Sequence, residues 1–149
     1  MTKVFINSQA NAHQQIKHHT PIMGTCCIIS TTDPFCTLPH FSTAEYVNCE
    51  AAIMVKFGDI DSCDIPEYPG ISDDQADLLA AFIKAYRYVD VFYINCFAGI
   101  CRSSAVAAAV SLYTNGDDNS IFNCPQYVPN MFVYRKLLNS LGLTNSYGS

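Results

Sequence analysis

The most constraining feature of the sequence is Ser104–Tyr113, a stretch that is apolar on nearly every side when it is placed on a helix. A helix without a polar face has to be buried by other elements. Directly upstream lies Val89–Asn95, whose valine, phenylalanine, tyrosine and isoleucine side chains are typical of a central strand. Asn115 and Gly116, which tolerate left-handed backbone geometry, end the helix. A strand, a short loop and a buried helix therefore form the centre of the predicted domain.

The remaining elements follow from hydrophobic periodicity and from capping residues. Three more strands are predicted at Lys3–Asn7, Met23–Thr31 and Ala51–Phe57. Further helices are predicted at Gln9–Lys17, from a capping box at Ser72 and Gln75 to about Tyr88, at Asp118–Phe122 and at Pro129–Leu141. Strands early and in the middle of the chain, with helices concentrated later, predict an α/β layered domain. Residues 1–149 suffice for one such domain with a single core.

Charge and hydropathy exclude two classes of partner. The formal net charge is −5 and the chain has only eight Lys and Arg residues, whereas nucleic-acid binding depends on clustered cations. No apolar run approaches the ~20 residues of a transmembrane helix, so no membrane partner is expected. The segment Met1–Asn7 lacks the long apolar stretch of a signal peptide, which predicts a cytoplasmic protein.

The cysteines are interpreted as free thiols. In a reducing cytoplasm the eight cysteines are not expected to form a disulfide framework. No pair of cysteines has the second Cys or His pair that a zinc site requires, and the adjacent His18 and His19 are interpreted as a solvated turn. The sequence therefore predicts neither a metal nor a cofactor.

Between the predicted strand and the buried helix lies a loop that begins at Cys96 and reaches Arg102 six positions later. The spacing alone is a weak signal, because most free cysteines are small buried hydrophobes and Arg102 alone could be an exposed residue at the start of a helix. The position of the loop between a buried strand and a buried helix is a stronger signal than the spacing. A buried strand delivers the sulfur to the carboxyl edge of a sheet, which is where α/β folds bind ligands.

The residue types in this loop suit a phosphate dianion. Gly99 permits the dihedral angles that aim successive backbone N–H groups at one anion, and the following helix adds the positive end of its dipole. The same field favours the thiolate form of Cys96. Arg102 can bind two phosphate oxygens with its planar guanidinium group. The Ser103 hydroxyl can donate to the sulfur when the sulfur becomes the leaving group.

The run Cys96-Phe97-Ala98-Gly99-Ile100-Cys101-Arg102-Ser103 resembles the Cys-x-Ala-Gly-x-x-Arg-Ser signature of dual-specificity-type protein tyrosine phosphatases. The resemblance extends more loosely from about Met23 to Leu138. It implies a mostly parallel central sheet flanked by helices, without a metal. It also implies that Cys96 is the nucleophile, that Arg102 binds phosphate and steadies the transition state, and that Ser103 assists breakdown of the phosphocysteine. The phosphate-binding residues that it implies are Phe97, Ala98, Gly99, Ile100, Cys101 and Arg102.

Two positions depart from the pattern of this family. Asn95 stands where the family usually has a His that orders the loop and lowers the thiol pKa. Cys101 stands where Ser or Thr is common before the Arg, and it places a second thiol in the loop.

A general acid is expected on a loop upstream of the Cys, since a phosphatase of this type protonates the departing oxygen. Asp59, Asp61 and Asp64 are the candidates. Asp59 directly follows the predicted strand in Phe57-Gly58-Asp59 and resembles the strand-then-Asp arrangement of small bacterial and phage-type relatives. Asp59 is therefore preferred, and at least two of the three are ordinary solvated carboxylates.

The leading hypothesis is hydrolysis of phosphomonoesters through a phosphocysteine, on a phosphorylated protein or a small phosphomonoester. The loop is apolar at Phe97 and Ile100 and has no Lys, which favours phosphotyrosine over densely phosphorylated inositols and leaves phosphoserine and phosphothreonine open. One alternative is a catalytically weak or silent module that binds phosphorylated partners. Another is a thiol redox protein that uses Cys96 and Cys101. The oligomeric state and the biological substrate stay open.

Overall fold

Four parallel strands form the sheet at the centre of the structure, a computed structural model that describes residues 2–37, 41–62 and 65–143. The strands are β1 (Lys3–Ser8), β2 (Cys26–Thr32), β3 (Cys49–Lys56) and β4 (Val91–Cys96), in the order β1–β4–β2–β3. The helices are α1 (Gln9–Met23), α2 (Asp73–Ala85), α3 (Arg102–Asn115), α4 (Asn119–Phe122) and α5 (Met131–Leu141), and a 3-10 turn spans Thr43–Glu45. Every predicted strand and helix is present, and the bounds differ at the ends.

The two inner strands, β2 and β4, are buried along their whole length. Their sequences are mostly apolar, as expected for parallel strands that are covered on both faces, although β2 ends in Ser30-Thr31-Thr32. Ile29 of β2 lies opposite Ile94 of β4, and Ser8 of β1 lies opposite Cys96 of β4. Because all four strands run in one direction, their carboxyl ends meet at one edge of the sheet, and Cys96 lies at that edge.

Helices cover both faces of this sheet. On one face α1 packs through Ala12 and Ile16 against Val91 and Tyr93 of β4. On the other face α2, α3 and α5 form a layer, within which α3 is buried from Arg102 to Ser111. The predicted fold class, an α/β domain with a mostly parallel sheet flanked by helices, is confirmed. In the part of the chain that the structure describes, none of the helices has the length and apolar character needed to cross a bilayer.

Helix α1 is longer than predicted. It ends at Met23 instead of Lys17, so that His18 and His19, which the sequence placed in a solvated turn, are helical. The His19 ring packs edge-on against Phe5 of β1, with 5.2 Å between ring centroids. The turn prediction was wrong because contact with the sheet stabilises a helical segment whose own residues are weak helix formers.

The capping box at the start of α2 is confirmed. The Gln75 N–H donates to Ser72 Oγ at 3.1 Å, and the Ser72 N–H donates to Gln75 Oε1 at 3.0 Å. The helix ends at Ala85, before the predicted end near Tyr88. The Val89 N–H bonds the Tyr86 carbonyl at 3.1 Å, so the chain turns earlier than predicted to enter β4.

Burial of α3 on all sides predicts a low tolerance for added volume. Ala108 of α3 has no exposed surface. We expect Ala108→Leu to lower the free energy of unfolding by about 1–3 kcal/mol, because extra methylene groups in a close-packed core displace their neighbours. Urea unfolding followed by circular dichroism measures this change. The matched control is Ala81→Leu on the exposed side of α2, which should change stability by less than about 0.5 kcal/mol. Equal losses in the two variants would contradict the account of α3.

Candidate active site

Cys96 is the last residue of β4 and is only 2% exposed. After it the chain curls back, so that the Gly99 N–H donates to Cys96 Sγ at 3.2 Å. Gly99 has a φ of +73°, and a Cβ atom there would lie 2.8 Å from the backbone of Asn7 and Ser8. Glycine is required on both counts, since another residue would be strained at that φ and would collide with the junction of β1 and α1. The close approach of this junction therefore fixes how tightly the loop curls.

Hydrogen-bond donors surround the Cys96 sulfur. Ser103 Oγ lies 3.0 Å from Sγ. Burial by itself raises the pKa of the Cys96 thiol, but hydrogen bonds from the Ser103 hydroxyl and from the N–H groups of Ser103, Ile100 and Gly99 outweigh burial and lower the pKa below its ordinary value of 9.0. The start of α3 adds the positive end of a helix dipole. The thiolate therefore forms at a lower pH than it does for an ordinary cysteine.

The loop is held from its outer side by contacts to its carbonyl groups. Ser104 Oγ donates to the carbonyl oxygen of Ile100 and, at 3.1 Å, to that of Cys101. The Val128 N–H donates to the Ile100 carbonyl at 3.2 Å, and the Asn130 N–H donates to the Cys101 carbonyl at 3.0 Å. With these carbonyls bound on the outside, the loop presents its N–H groups to the sulfur.

Arg102 is buried beside the loop, so it is not the exposed helix-start residue that was the alternative interpretation. Its side chain is only 6% exposed. Its Nη1 donates to Asp33 Oδ1 at 2.9 Å and to the Phe57 carbonyl at 2.8 Å. Both of these bonds use Nη1, which leaves Nε and Nη2 to bind an anion in the adjacent cavity.

Asp59 lies shortly after β3 and lines the same cavity as Cys96. Asn130 Nδ2 donates to Asp59 Oδ1 at 2.8 Å, which fixes one oxygen of this exposed carboxylate. Asp59 also contacts the Cys101 thiol: burial first, and then the charge and hydrogen bond of Asp59, raise the pKa of Cys101. The residue before Arg102 therefore carries a protonated thiol that faces the carboxylate.

Of the other two candidate acids, only Asp61 is among the described residues. Asp61 is exposed and is not among the described residues that line the cavity. Asp64 lies outside the described residues.

An open cavity of about 220 Å³ collects these groups at the carboxyl edge of the sheet. The described residues that line it come from the ends of β2 and β4, the loop after β3 and the start of α3, and they are Asp33, Asp59, Tyr68, Cys96, Phe97, Ala98, Cys101 and Arg102. Gly99, Ile100 and Ser103 support the cavity from the loop by their contacts with the sulfur. A thiol, a guanidinium group and two carboxyl groups thus line one cavity.

Among the described residues, the Asn95 side chain makes no hydrogen bond to the loop. It is buried inside β4, where its Nδ2 donates to Ser30 Oγ at 3.0 Å and its Oδ1 has no hydrogen-bond partner. The contacts that order the loop come instead from Ser104, Val128 and Asn130.

Three residues of the site were not predicted from the sequence. Asp33 directly follows β2 at the same edge as the loop, and a polar residue at the end of a buried strand is a signal that could have found it. Asn130 caps α5, and an Asn before a helix predicts a cap but not its bond to Asp59. Tyr68 lies in an irregular loop and carries no sequence signal.

Side chains that could bind a metal are not clustered in this part of the molecule. Among residues 2–37, 41–62 and 65–143, no three or more His, Cys, Asp or Glu side chains are grouped so that they could hold an ion. The described residues bring a thiol, a guanidinium group and two carboxyl groups to the cavity, with the Ser103 hydroxyl beside the sulfur.

Comparison with known proteins gives structural but not sequence matches. No protein-family model matches the sequence, and no curated protein matches it either. Several solved structures match with a probability of 1.00 over nearly the whole chain.

The structural neighbours include three phosphatases or phosphatase-like proteins. Human DUSP28 is 16% identical, with a TM-score of 0.56 over 93% of this chain and 91% of its own. A mouse putative dual specificity phosphatase complexed with zinc tungstate is 17% identical, with a TM-score of 0.56 over 93% and 82% of the two chains. The human tyrosine phosphatase-like serine/threonine/tyrosine-interacting protein is 17% identical, with a TM-score of 0.54 over 91% and 89%. The chain therefore has the fold of the dual-specificity phosphatases.

Proposed function

We propose that this protein hydrolyses phosphomonoesters through a covalent phosphocysteine at Cys96. The observation that carries the proposal is the thiol environment: a buried sulfur with a lowered pKa, ringed by N–H donors and placed beside a buried Arg102. Donors that stabilise a thiolate at this position also suit the negative oxygens of a phosphate group bound above it.

In the first step the Cys96 thiolate attacks phosphorus, so that an S–P bond forms as the bond to the ester oxygen breaks. Nε and Nη2 of Arg102 bind the oxygens of the transferring group, on which negative charge is held. Asp59 in its protonated form gives its proton to the departing oxygen, which leaves as an alcohol or phenol.

In the second step a water molecule attacks the phosphocysteine. Asp59, now a carboxylate, accepts a proton from that water, and the S–P bond breaks. The Ser103 hydroxyl, 3.0 Å from the sulfur, donates a hydrogen bond to the thiolate as it leaves. The products are inorganic phosphate and the original thiolate, so the cycle needs no further reactant.

The ester that we propose is phosphotyrosine on a protein. Phe97, which lines the cavity, is 69% exposed. This apolar side chain suits the aromatic ring of phosphotyrosine. The loop from Cys96 to Arg102 contains no Lys that could bind additional phosphate groups. A neighbour of the same fold carries tungstate, which like phosphate is a tetrahedral oxyanion.

The two alternative functions use the same residues, but neither of them hydrolyses a phosphate ester. A thiol redox protein would pair Cys96 with Cys101, but burial and Asp59 raise the pKa of Cys101 and so disfavour its reactive thiolate. A silent binding module would capture phosphorylated partners without hydrolysing them. Turnover separates the proposed function from both alternatives.

The first test is turnover of an aryl phosphate in the presence of a metal chelator. We expect the wild-type protein to release inorganic phosphate. Cys96→Ser should release none, because a hydroxyl is a far poorer nucleophile than a thiolate in the same place. The variant should still bind inorganic phosphate. Cys124→Ser, which changes a half-buried thiol outside the loop, is the matched control and should keep wild-type turnover. Turnover by Cys96→Ser at the wild-type rate would refute the mechanism.

The second test concerns the pH dependence that Ser103 imposes. Turnover needs the thiolate, so kcat/KM should fall as the pH drops through the lowered pKa of Cys96, which places this acidic limb below the ordinary value of 9.0. Ser103→Ala removes a hydrogen bond that lowers this pKa, so the limb should move to higher pH. Ser120→Ala on an exposed turn of α4 should leave the limb in place. An unmoved limb in Ser103→Ala would show that the backbone donors alone set the thiolate.

The third test identifies the general acid by the leaving group. A nitrophenolate departs readily without a proton, whereas the phenolate of tyrosine, with a parent pKa near 10, needs one. Asp59→Asn should therefore cost little on nitrophenyl phosphate and about 10²–10⁴-fold on phosphotyrosine. Asp61→Asn and Asp64→Asn are the matched comparisons. If only one of those two shows this leaving-group dependence, Asp59 is not the acid.

A further inference from the structure

A chain of hydrogen bonds runs from Arg102 to the loop that carries Asp59. Asp33 Oδ1 accepts from Arg102 Nη1 at 2.9 Å and from the Tyr68 hydroxyl, also at 2.9 Å. The Tyr68 hydroxyl oxygen in turn accepts from the Asp59 N–H at 3.3 Å. One carboxylate and one phenol thus join the anion-binding cation to the backbone of the residue that we assign as the acid.

The Tyr68 ring is fixed against the start of this loop. It lies so close to Gly58 that a Cβ atom there would be 2.5 Å from the ring carbon Cε2. The Gly58 N–H bonds the Pro69 carbonyl at 2.6 Å, which closes the loop around the ring. Burial raises the pKa of Tyr68, so its hydroxyl keeps the proton that it donates to Asp33.

A carboxylate at this position is unfavourable for affinity alone. Asp33 lines a cavity that we assign to a phosphate dianion, and like charges repel. Its side chain is 48% exposed, whereas that of Arg102 is 6% exposed. The carboxylate therefore has to be explained by what it does to the guanidinium: together with the Phe57 carbonyl it holds Nη1 and so fixes the plane in which Nε and Nη2 lie.

We propose that Asp33 and Tyr68 are positioning residues that act as a unit. They align the Arg102 guanidinium with the bound phosphate and hold the Asp59 loop in a fixed position relative to that guanidinium. This inference rests on the proposed function. It assigns to Asp33, at the end of β2, a role in the reaction that neither the Cys96–Arg102 loop nor the loop that carries Asp59 supplies. The acid and the anion-binding cation then share one hydrogen-bonded support, although they belong to different segments of the chain.

Asp33→Ala tests the alignment of Arg102 by the direction in which phosphate affinity changes. If Asp33 positions Arg102, the variant should bind inorganic phosphate more weakly, by about tenfold or more, and kcat should fall by a similar factor, since a hydrogen bond to a charged group is lost. If the Asp33 carboxylate only offsets the positive charge of Arg102, its removal should tighten phosphate binding. Isothermal titration with inorganic phosphate gives the affinity. Glu67→Ala, which removes an exposed carboxylate next to Tyr68, is the matched control and should not weaken binding.

Tyr68→Phe tests whether the two residues act together. The variant keeps the ring against Gly58 and removes only the hydroxyl, so it should fold normally and lower kcat on phosphotyrosine by about tenfold or more. The double variant with Asp33→Ala should cost no more than the larger single change. Additive losses would overturn the coupling. Tyr113→Phe on the far end of α3 is the matched control and should keep the wild-type kcat.

The outcomes for the inference and for the proposed function are distinguishable. Wild-type turnover together with tighter phosphate binding by Asp33→Ala, or with unchanged kcat in Tyr68→Phe, overturns the inference and leaves the function intact. Absence of wild-type turnover overturns the function. In that case the phosphate affinity of Asp33→Ala still decides whether Asp33 aligns Arg102.

Discussion

The site depends on one physical constraint: a sulfur that is almost fully buried becomes a thiolate only if hydrogen bonds replace the water that it has lost. At Cys96 these bonds come from Gly99, Ile100 and Ser103, which belong to the loop and to the first turn of α3. The loop can supply them because both of its ends are fixed, by a strand buried on both faces and by a helix buried on all sides. The core of the domain and the reactivity of the thiol are therefore consequences of the same packing.

The sequence predicts the parts of the molecule that depend on neighbouring residues. The strand before Cys96, the loop, the buried helix, the capping box at Ser72 and the end of α3 at Gly116 are all local patterns, and the structure contains each of them. The mostly parallel pairing was implied by the resemblance of the loop to a phosphatase signature, and all strand pairs of the sheet are parallel. The end of α1 was mispredicted because contact with the sheet, and not local preference, determines how far that helix extends.

Contacts between distant segments could not be predicted in the same way. Asp33 and Tyr68 reach Arg102 only because β2 pairs with β4 and because the loop after β3 folds over the same edge. The preference for Asp59 among the aspartates rests on its position after a strand, and no sequence pattern predicts the hydrogen bond that Asn130 donates to it. Asn95 illustrates the same limit, since nothing in the sequence around it predicts that Ser104, Val128 and Asn130 bind the carbonyl groups of the loop.

The central claim is that Cys96 carries the phosphoryl group during turnover. The most direct measurement is to mix the protein with excess aryl phosphate, quench with acid within the first turnovers, and digest and analyse the peptides by mass spectrometry. The account predicts that the peptide containing Cys96 gains the mass of one phosphoryl group, and that this species accumulates further in Ser103→Ala, where its breakdown is slowed. Steady release of inorganic phosphate without any phosphorylated Cys96 peptide, in either protein, would contradict it.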